Sequence, residues 1–327
     1  MKTTLYVTTG GGFGNVLFNF MMGYSMGKIL REQGKDVDVV YIDGSDSYRP
    51  HMSTYSIFKG RDDIKIVGAN STTFPSYCYY EVVEKGFKFQ KAYLTVVETL
   101  ISRHCDEVAI KLTGYFQSYK YSSYPEFQWL SLGLGDGKTI ERCAFIDRSA
   151  ESIIPEMRDF LFKCGAQTSR FEEFHSKFSD PTLVTVMLHV RRGDYLKLQN
   201  YHPVQTEEYF KACIEHVIGK LSAGPGGINI MAFSDDVEYL REWEMLKGYN
   251  HVIVDTKEEV ETFDIMRRCD HFIISNSSFS LLAYYFRESD KANNETIVCA
   301  PSKWFGKDGP QFDLDDMVPP SENRFIF

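Results

Sequence analysis

The pattern of hydrophobic and polar positions predicts regular α/β structure at the start of the chain. Residues 4–8 alternate as a short strand, residues 10–14 form a glycine-rich turn, and residues 15–33 have the apolar spacing of a helix. Residues 37–42 follow as a second strand. A strand, a helix and a second strand in this order indicate an α/β domain with a parallel sheet.

The second half repeats this alternation more clearly. Short apolar runs between polar turns predict strands at residues 183–190, 228–233, 251–254, 272–274 and 297–300. Helical patterns lie between these runs, at residues 206–221, 237–246, 258–269 and 278–288. Repeated β-α units of this kind form a second parallel sheet with right-handed crossovers.

Length favours two domains, because 327 residues exceed the size that one hydrophobic core usually supports. The polar turn Ser179-Asp180-Pro181 is the expected boundary, which gives an N-terminal domain of residues 1–180 and a C-terminal domain of residues 181–327. The C-terminal tail is expected to pack back on the first domain. Residues 45–180 are rich in tyrosine and irregular, and few elements can be assigned there.

Charge and cysteine content narrow the class of protein. The formal charge of −9 argues against broad nucleic-acid binding, so an anionic ligand would need a local concentration of arginine or backbone N–H groups. Seven cysteines without a C-x-x-C pair fit neither a disulfide framework nor a zinc site and predict a reducing compartment. Residues 16–22 are apolar but interrupted by Asn19, so we expect a cytoplasmic protein without a signal peptide or membrane span. The oligomeric state stays open.

Polar residues follow the predicted strands of the second half, where open α/β sheets bind their ligands. The strand ends carry Arg191-Arg192-Gly193-Asp194, Ser234-Asp235-Asp236, Asp255 and Ser275-Asn276-Ser277-Ser278. Cations, acids and small hydroxyl groups therefore gather at one edge of the sheet.

The two adjacent arginines suit a diphosphate, because a guanidinium can donate two parallel hydrogen bonds to phosphate oxygens. Alternation along the strand places His189 and Arg191 on one face and Arg192 on the other. We therefore predict Arg191 as the phosphate ligand and Arg192 as a brace of the turn against Asp194. The alternative is that both arginines form solvated ion pairs at a sheet edge.

Two polar clusters have both a structural and a functional interpretation. Residues 275–278 open a helix, where Ser and Asn are preferred caps and where free N–H groups can bind an anion. Residues 234–236 are likewise a helix cap or, functionally, a carboxylate that accepts hydrogen bonds from a guanine edge.

The glycine-rich turn matches neither common nucleotide fingerprint, since position 15 is Asn and no lysine follows in the P-loop pattern. Asp43 ends the next strand as a ribose-binding acid would, which keeps a dinucleotide-dependent oxidoreductase as an alternative. The turn either has a packing role or lets Gly12, Gly14 and Asn15 approach donor phosphates.

Two acidic triplets and one aromatic segment bear on metal and sugar binding. The two Asp-x-Asp triplets, Asp36-Val37-Asp38 and Asp313-Leu314-Asp315, precede a strand and lie in the proline-rich tail, so we expect solvated acids and no metal. The segment of residues 114–121 could line an acceptor groove with Tyr115 and Gln117, although buried tyrosine packing is its default interpretation.

Six motifs in order make the chain similar to glycosyltransferase family 11, the α-1,2-fucosyltransferases. The resemblance covers residues 4–305 and rests on Gly11-Gly12-Phe13-Gly14-Asn15 with Leu17-Phe18, Gly114-Tyr115-Phe116-Gln117-Ser118 with Lys120-Tyr121, residues 189–195, Ser234-Asp235-Asp236, Asn276-Ser277-Ser278-Phe279-Ser280, and Pro301 with Trp304-Phe305. Val16 and Leu281-Leu282 depart from the family pattern, which usually has Gln and a pair of Trp there.

The resemblance implies a GT-B-like architecture, with two Rossmann-like α/β domains and parallel sheets facing a cleft. It implies GDP-L-fucose as donor in the C-terminal domain, a terminal galactose of a glycan as acceptor on the N-terminal side, inversion at the anomeric carbon and no catalytic metal or other cofactor. Donor-binding roles then fall on Gly12, Gly14, Asn15, His189, Arg191, Arg192, Ser234, Asp235, Asp236, Asn276, Ser277 and Ser278.

Catalysis is assigned to Arg191, which stabilises the leaving diphosphate, and to Asp194. The general base is left open between Asp194 and His202, and His202 is also a candidate on the acceptor side. Which of Asp235 and Asp236 reads the base is equally open. The alternative functions are a transferase of the same fold with another nucleotide sugar and a non-catalytic protein that binds a nucleotide sugar or a carbohydrate.

Overall fold

The protein divides into two compact units, Met1–Cys164 and Gly165–Phe327. The division precedes the turn at Ser179-Asp180-Pro181, where the sequence predicts it. The computed structural model describes residues 2–44, 58, 64–69, 72, 74, 79–84, 96–97, 99–101, 107–118, 120, 126–134, 138–146, 154–162, 170–224, 226–288, 296–310 and 314–327.

The first unit contains a parallel sheet of five strands in the order β3-β2-β1-β5-β4. Its strands are β1 Lys2–Thr9, β2 Asp36–Asp43, β3 Lys65–Gly68, β4 Tyr79–Val83 and β5 Val108–Thr113. An antiparallel pair, β6 Glu126–Leu134 and β7 Lys138–Ile146, forms a separate ribbon. The helices are α1 Phe13–Glu32 and α2 Ile154–Phe162.

Helix α1 packs closely on the first sheet through two glycines spaced four residues apart, which lie on one face of the helix. A Cβ atom at Gly27 would lie 2.5 Å from Val39 Cγ2, and one at Gly23 would lie 2.8 Å from the Tyr41 ring. Neither distance is compatible with a side chain. The close approach brings the start of α1 to the carboxyl ends of β1 and β2.

The second unit contains a parallel sheet of six strands in the order β10-β9-β8-β11-β12-β13. Its strands are β8 Thr185–Val190, β9 Asn229–Ser234, β10 Asn250–Ile253, β11 His271–Ile273, β12 Val298–Ala300 and β13 Arg324–Ile326. The helices are α3 Phe171–His175, α4 Glu207–Lys220, α5 Val237–Glu242, α6 Glu259–Met266 and α7 Ser278–Tyr285. Short 3₁₀ segments are Gly193–Lys197, Glu244–Gly248 and Leu314–Asp316.

Strand β8 is central and buried along its whole length. Helix α4 covers one face of the sheet with an apolar stripe that includes Phe210, Ile214 and Val217, and these pack against residues of β8, β9 and β12. Burial of both faces is typical of parallel sheets with helical crossovers. The polar residues that follow β8 therefore start from a rigid position.

The predicted fold is confirmed as two α/β domains, each with a parallel sheet, and all five strands predicted in the second half are present. The helix predicted over residues 237–246 is shorter, because Trp243 adopts extended backbone between α5 and the next 3₁₀ segment. Strands β3 to β7 and β13 were not predicted, and β3, β4 and β13 are only three to five residues long, too short for a clear pattern. Among the described helices, none is both long and apolar enough to span a membrane.

Substitution of Gly27 by alanine is expected to destabilise the protein by up to about 2 kcal/mol. The extra methyl group would overlap Val39, and overpacking costs about 1–3 kcal/mol, more than the roughly 1 kcal/mol that alanine gains in helix propensity. Gly219→Ala in α4 is the matched control, since a Cβ there meets nothing within 4 Å. Urea unfolding should show opposite signs for the two variants, and a stabilised Gly27→Ala protein would contradict the packing argument.

Candidate functional site

The predicted polar residues of the second half meet at the carboxyl edge of the second sheet. Register places Val190 of β8 beside Ser234 of β9, and Leu188 beside Ile273 of β11. The residues that follow these strands therefore lie next to one another. This edge is the position at which open α/β sheets bind ligands.

Arg191 lies at the centre of this edge, and its side chain is 21% exposed. One guanidinium nitrogen donates to Asp194 Oδ1 at 2.6 Å, and the other terminal nitrogen lies 3.0 Å from Asp235 Oδ2. The guanidinium also lies 5.1 Å from the centre of the Tyr195 ring. Two carboxylates and a ring therefore orient the predicted phosphate ligand.

Arg192 points away from Arg191, as strand alternation predicts. Its Nε donates to Asp236 Oδ2 at 3.2 Å, and its guanidinium stacks 3.7 Å from the centre of the Tyr239 ring. The predicted partner of Arg192 was Asp194. Asp194 instead contacts Arg191, because the 3₁₀ turn after β8 returns the residue at i+3 to the face of Arg191.

Asp235 connects the two strand ends directly. Its Oδ1 accepts the backbone N–H of Arg192 at 2.9 Å while its Oδ2 contacts Arg191. The carboxylate lies so close to Gly193 that no Cβ atom fits there. Glycine at position 193 is thus required by this approach.

Asp236 and Ser234 have structural roles at the start of α5. Asp236 is the N-cap residue of α5 and accepts the Tyr239 N–H at 3.3 Å, and the Asp236 N–H donates to Ser234 Oγ at 2.9 Å. The helix-cap interpretation of residues 234–236 is therefore correct for Asp236. Its predicted contact with a guanine edge stays a prediction.

His189 is buried, with 4% of its surface exposed, and its Nδ1 has no partner among the described residues. Burial, reinforced by the charge of Arg191, lowers the pKa of His189 to about 3. The ring is therefore neutral near pH 7. A neutral imidazole offers one donor and one acceptor, which suits a nucleobase edge better than a phosphate.

The residues after β11 tie the edge together. Ser275 Oγ donates to His189 O at 2.7 Å and accepts the Arg191 N–H at 3.1 Å. Ser277 is the N-cap of α7, and Ser278 begins the helix. Ser275 therefore joins the ends of β8 and β11 at Arg191, and Ser277 and Ser278 follow it at the start of α7.

The side-chain amide and the backbone oxygen of Asn276 all form hydrogen bonds inside the protein. Its amide nitrogen donates to Pro203 O at 3.0 Å and Trp304 O at 2.9 Å, and its amide oxygen accepts from Gln205 at 3.1 Å. Its backbone oxygen accepts the Tyr195 hydroxyl at 3.0 Å. Asn276 thus joins the loops that follow β8 and β12, and a direct donor contact through its side chain stays a prediction.

His202 lies in the loop after β8, where its ring stacks on Tyr195 with centroids 4.6 Å apart. Burial lowers the pKa of His202, with the charge of Asp194 opposing this and the charge of Arg191 adding to it. His202 is therefore part of the second unit's edge and next to the arginines.

A second polar edge lies in the first unit, at the carboxyl ends of the neighbouring strands β1 and β5. Gly11 has φ +83°, and Gly12 precedes α1 as its N-cap residue, with Gly14 and Asn15 in the first turn. Gln117 Nε2 donates to Asn15 Oδ1 at 2.6 Å. The glycine-rich turn and the aromatic segment thus meet, with Tyr115 44% exposed beside them. Tyr119 and Tyr121 lie outside the described residues.

Glu84 is a buried carboxylate at this edge that the sequence analysis missed. It follows β4, is 8% exposed, and its Oε2 accepts the N–H groups of Tyr115 at 3.0 Å and Phe116 at 2.8 Å. Phe116 has φ +50°, a left-handed conformation that is unfavourable for a non-glycine residue. The two hydrogen bonds stabilise this conformation. The only signal in the sequence was an acid directly after an apolar pair.

The Asp-x-Asp triplets lie away from both edges. Asp38 pairs with Lys2 at 3.1 Å, and Asp315 pairs with Arg324, while Asp313 lies outside the described residues. In the part of the chain that the structure describes, no group of three or more His, Cys, Asp and Glu side chains is arranged to hold a metal ion.

A comparison with protein-family models matches residues 115–308 to "Glycosyl transferase family 11". The chain belongs to this family. The matched region includes every residue of the edge formed by β8, β9, β11 and β12.

One curated relative of this family 11 chain is the O-antigen biosynthesis glycosyltransferase WbnK of Escherichia coli, which is 26% identical over 140 residues. The match covers 41% of this chain and 44% of WbnK. The chain therefore aligns with less than half of that relative's length.

Solved structures similar to the family 11 chain include the NodZ alpha-1,6-fucosyltransferase soaked with GDP-fucose, with 13% identity and a TM-score of 0.45 over 88% of this chain and 93% of NodZ. POFUT1 in complex with GDP has 12% identity and a TM-score of 0.43 over 91% and 97% of the two chains. The E. coli heptosyltransferase WaaC with ADP has 11% identity and a TM-score of 0.41 over 100% and 92%. Family membership rests on the family model alone.

Replacement of Glu84 by alanine is expected to lower the free energy of unfolding by about 1–3 kcal/mol, because two backbone N–H groups would lose their acceptor and Phe116 its constraint. Glu84→Gln retains an acceptor oxygen and should recover most of this loss. Chemical unfolding of both variants provides the measurement. Equal losses for alanine and glutamine would show that the charge, and not the hydrogen bonding, is what matters.

Because His189 is buried in its uncharged form, we expect the stability of the protein to depend on pH. The unfolded chain binds a proton at this histidine below about pH 6.5, whereas the folded protein does so only near pH 3, so stability falls as the pH decreases between these values. Unfolding free energies of the parent and His189→Phe should be measured from pH 7 to pH 4. The unfolding free energy of His189→Phe should change less steeply with pH than that of the parent, with slopes that differ by about 1.4 kcal/mol per pH unit. Parallel slopes would contradict the neutral state.

Proposed function

We propose that this family 11 protein transfers L-fucose from GDP-L-fucose to the 2-hydroxyl of a terminal galactose in a glycan, with inversion at the anomeric carbon. Family membership supports glycosyl transfer, and the motif resemblance supports this donor and linkage. The observation that carries the donor site is the position of Arg191 at the centre of the sheet edge, oriented by Asp194 and Asp235.

The Arg191 guanidinium is oriented before any ligand binds, which suits it to bind a diphosphate. Its contacts with Asp194 and Asp235 use two terminal nitrogens, and a guanidinium has five N–H donors, so phosphate oxygens can be bound by those that remain. The carboxylates limit the number of side-chain conformations, which lowers the entropic cost of binding an anion. Their negative charge opposes the phosphate, so the arrangement favours orientation over raw affinity.

Backbone amides add to this site. Helix α7 begins at Ser278, three residues after Ser275, which binds the Arg191 N–H. The first turn of a helix has N–H groups without partners in the helix and a partial positive charge. We place the diphosphate between Arg191 and this helix start, with Ser277 and Ser278 as further ligands.

Guanine recognition is assigned to His189 and to Asp235 or Asp236. Neutral His189 can donate one hydrogen bond and accept another. Each aspartate already accepts hydrogen bonds within the protein, but a carboxylate has about four acceptor positions, so either can also accept from guanine N1–H and the exocyclic amine.

The transfer step follows from these assignments. The acceptor hydroxyl oxygen bonds to the anomeric carbon while the bond from that carbon to the β-phosphate oxygen breaks, and GDP leaves with the electron pair. The hydroxyl proton passes to a base. Arg191 and the helix amides stabilise the charge that develops on the phosphate, so we propose catalysis without a metal ion. Since Asp194 already binds Arg191, it suits orientation of the arginine, and Asp194 and His202 remain the candidate bases.

Incubation with GDP-fucose and a panel of galactose-terminated oligosaccharides, followed by linkage analysis, tests the proposal directly. Parallel incubations with GDP-, UDP- and ADP-sugars test the donor, and a chelator tests metal independence. An α-1,2-fucosylated product formed in the presence of chelator is expected. Transfer from a different nucleotide sugar, or donor binding without turnover, would overturn the assignment.

Arg191→Ala is expected to lower the transfer rate at saturating donor by at least roughly 100-fold, because one preorganised charge stabiliser is lost. Arg170→Ala is the matched control in the same unit, since the described ion pairs of Arg170 are with Glu173 and Glu261 and not with Asp194 or Asp235. Initial-rate kinetics of both variants are the measurement. A near-normal rate for Arg191→Ala would remove it from the mechanism.

A further inference from the structure

The chemistry of the second sheet's edge changes in order from strand to strand. Acids follow β9, arginines follow β8, serines and Asn276 follow β11, and the Trp304-Phe305 segment follows β12. These strands are neighbours in the order β9-β8-β11-β12, so the edge spans about 14 Å at the usual spacing of strands. The base, ribose, diphosphate and hexose of a nucleotide sugar are bonded in a row and can cover such a distance in that order.

Four aromatic rings lie at the end of this series, and we call them the ring cluster: Tyr195, Tyr201, His202 and Phe305. Tyr201 lies 4.7 Å from His202 and 5.6 Å from Phe305, and His202 lies 5.4 Å from Phe305, between ring centroids. His202 stacks on Tyr195, which in turn contacts Arg191. The ring cluster is therefore continuous with the proposed phosphate ligand.

The two loops that carry the ring cluster are bonded to each other. The Gly306 N–H donates to Tyr201 O at 2.9 Å, and the Asp308 N–H donates to Asn200 O at 3.0 Å. Backbone approaches Gly306 so closely that no Cβ fits there. Together with the Asn276 amide, which bonds Pro203 O and Trp304 O, these contacts fix the rings before any ligand binds.

The ring cluster and two leucines form the apolar part of this surface, beside exposed polar residues such as Lys197, Asn200 and Lys303. Tyr201, His202 and Phe305 are partly exposed, and Leu196 and Leu198 on the adjoining turn are 43% and 44% exposed. Since burial lowers the pKa of His202, its ring is uncharged near neutral pH. Aromatic faces without a net charge suit the C–H surface of a sugar ring and do not suit another phosphate.

From this order and these contacts, we infer that the ring cluster binds the hexose of the nucleotide-sugar donor. The inference rests on the proposed function and adds a subsite that recognises the transferred sugar. An apolar surface favours a 6-deoxyhexose, whose C6 is a methyl group, over a hexose with a hydroxymethyl group there. Apolar sites discriminate against one added hydroxyl by up to about 100-fold.

The test compares GDP-fucose with GDP by calorimetry, because the difference between the two affinities reports only on the sugar. Tyr201→Ala and Phe305→Ala are expected to weaken the affinity for GDP-fucose by roughly tenfold, while the affinity for GDP stays within about twofold of its parent value. Tyr201→Phe retains the ring and should bind as the parent does. Phe325→Ala is the matched control, since Phe325 packs on His216 of α4 and not on the ring cluster.

Competition with GDP-L-galactose, whose sugar differs from L-fucose only by a hydroxyl group on C6, adds a second readout, since the parent should prefer GDP-fucose and Tyr201→Ala should lose part of that preference. Equal weakening of GDP and GDP-fucose, or no change in either, would overturn the inference. The inference would also be overturned if the alanine variants kept the parent affinity for GDP-fucose but had a raised KM for the acceptor. That result would assign the rings to acceptor binding. Thermal unfolding of each variant identifies any loss of fold. If Phe305→Ala is unfolded, the comparison of GDP-fucose binding by Tyr201→Ala and Tyr201→Phe decides the test. Failure of the parent to bind GDP-fucose would instead overturn the proposed function as well.

Discussion

The contact between Arg191 and Asp235 is the interaction on which the edge of the second unit depends. A strand that is buried along its whole length ends in two cations, and cations this close to a core require acids nearby. Asp235 meets this need for Arg191 through its carboxylate and binds the Arg192 N–H with its other oxygen. One side chain thus joins the ends of β8 and β9, and it does so only because position 193 is glycine.

Asn276 has the corresponding role on the other side of Arg191. Its amide and backbone oxygen bond to chain segments at Tyr195, Pro203, Gln205 and Trp304. Each of these groups would be costly to bury without a partner, so the four contacts are formed together or lost together. The result is an edge whose arginines, serines and rings have defined positions without a ligand. Electrostatic stabilisation of a leaving group depends on such preorganisation.

The first unit uses the same physical device with a different residue. A buried carboxylate, Glu84, accepts two successive backbone N–H groups and stabilises a left-handed Phe116. This places Gln117 against Asn15 at the start of α1. In both units, therefore, an acid at the end of a strand determines the shape of the neighbouring loop, and the residues of functional interest are on that loop.

Sequence alone determined the strand and helix order of the second half, the strand-end residues and the family, because apolar periodicity and consecutive motifs are local properties of the chain. It also determined which face Arg192 takes, since alternation along a strand is local. Only the tertiary structure decided that Asp194 contacts Arg191, that the Asn276 amide is used internally and that Glu84 supports the aromatic loop. The contacts of Asn276 and Glu84 depend on how loops and strands approach one another, because they join residues 28 to 73 positions apart that carry no sequence signal of that proximity. The contact between Asp194 and Arg191 depends on the 3₁₀ turn that follows β8.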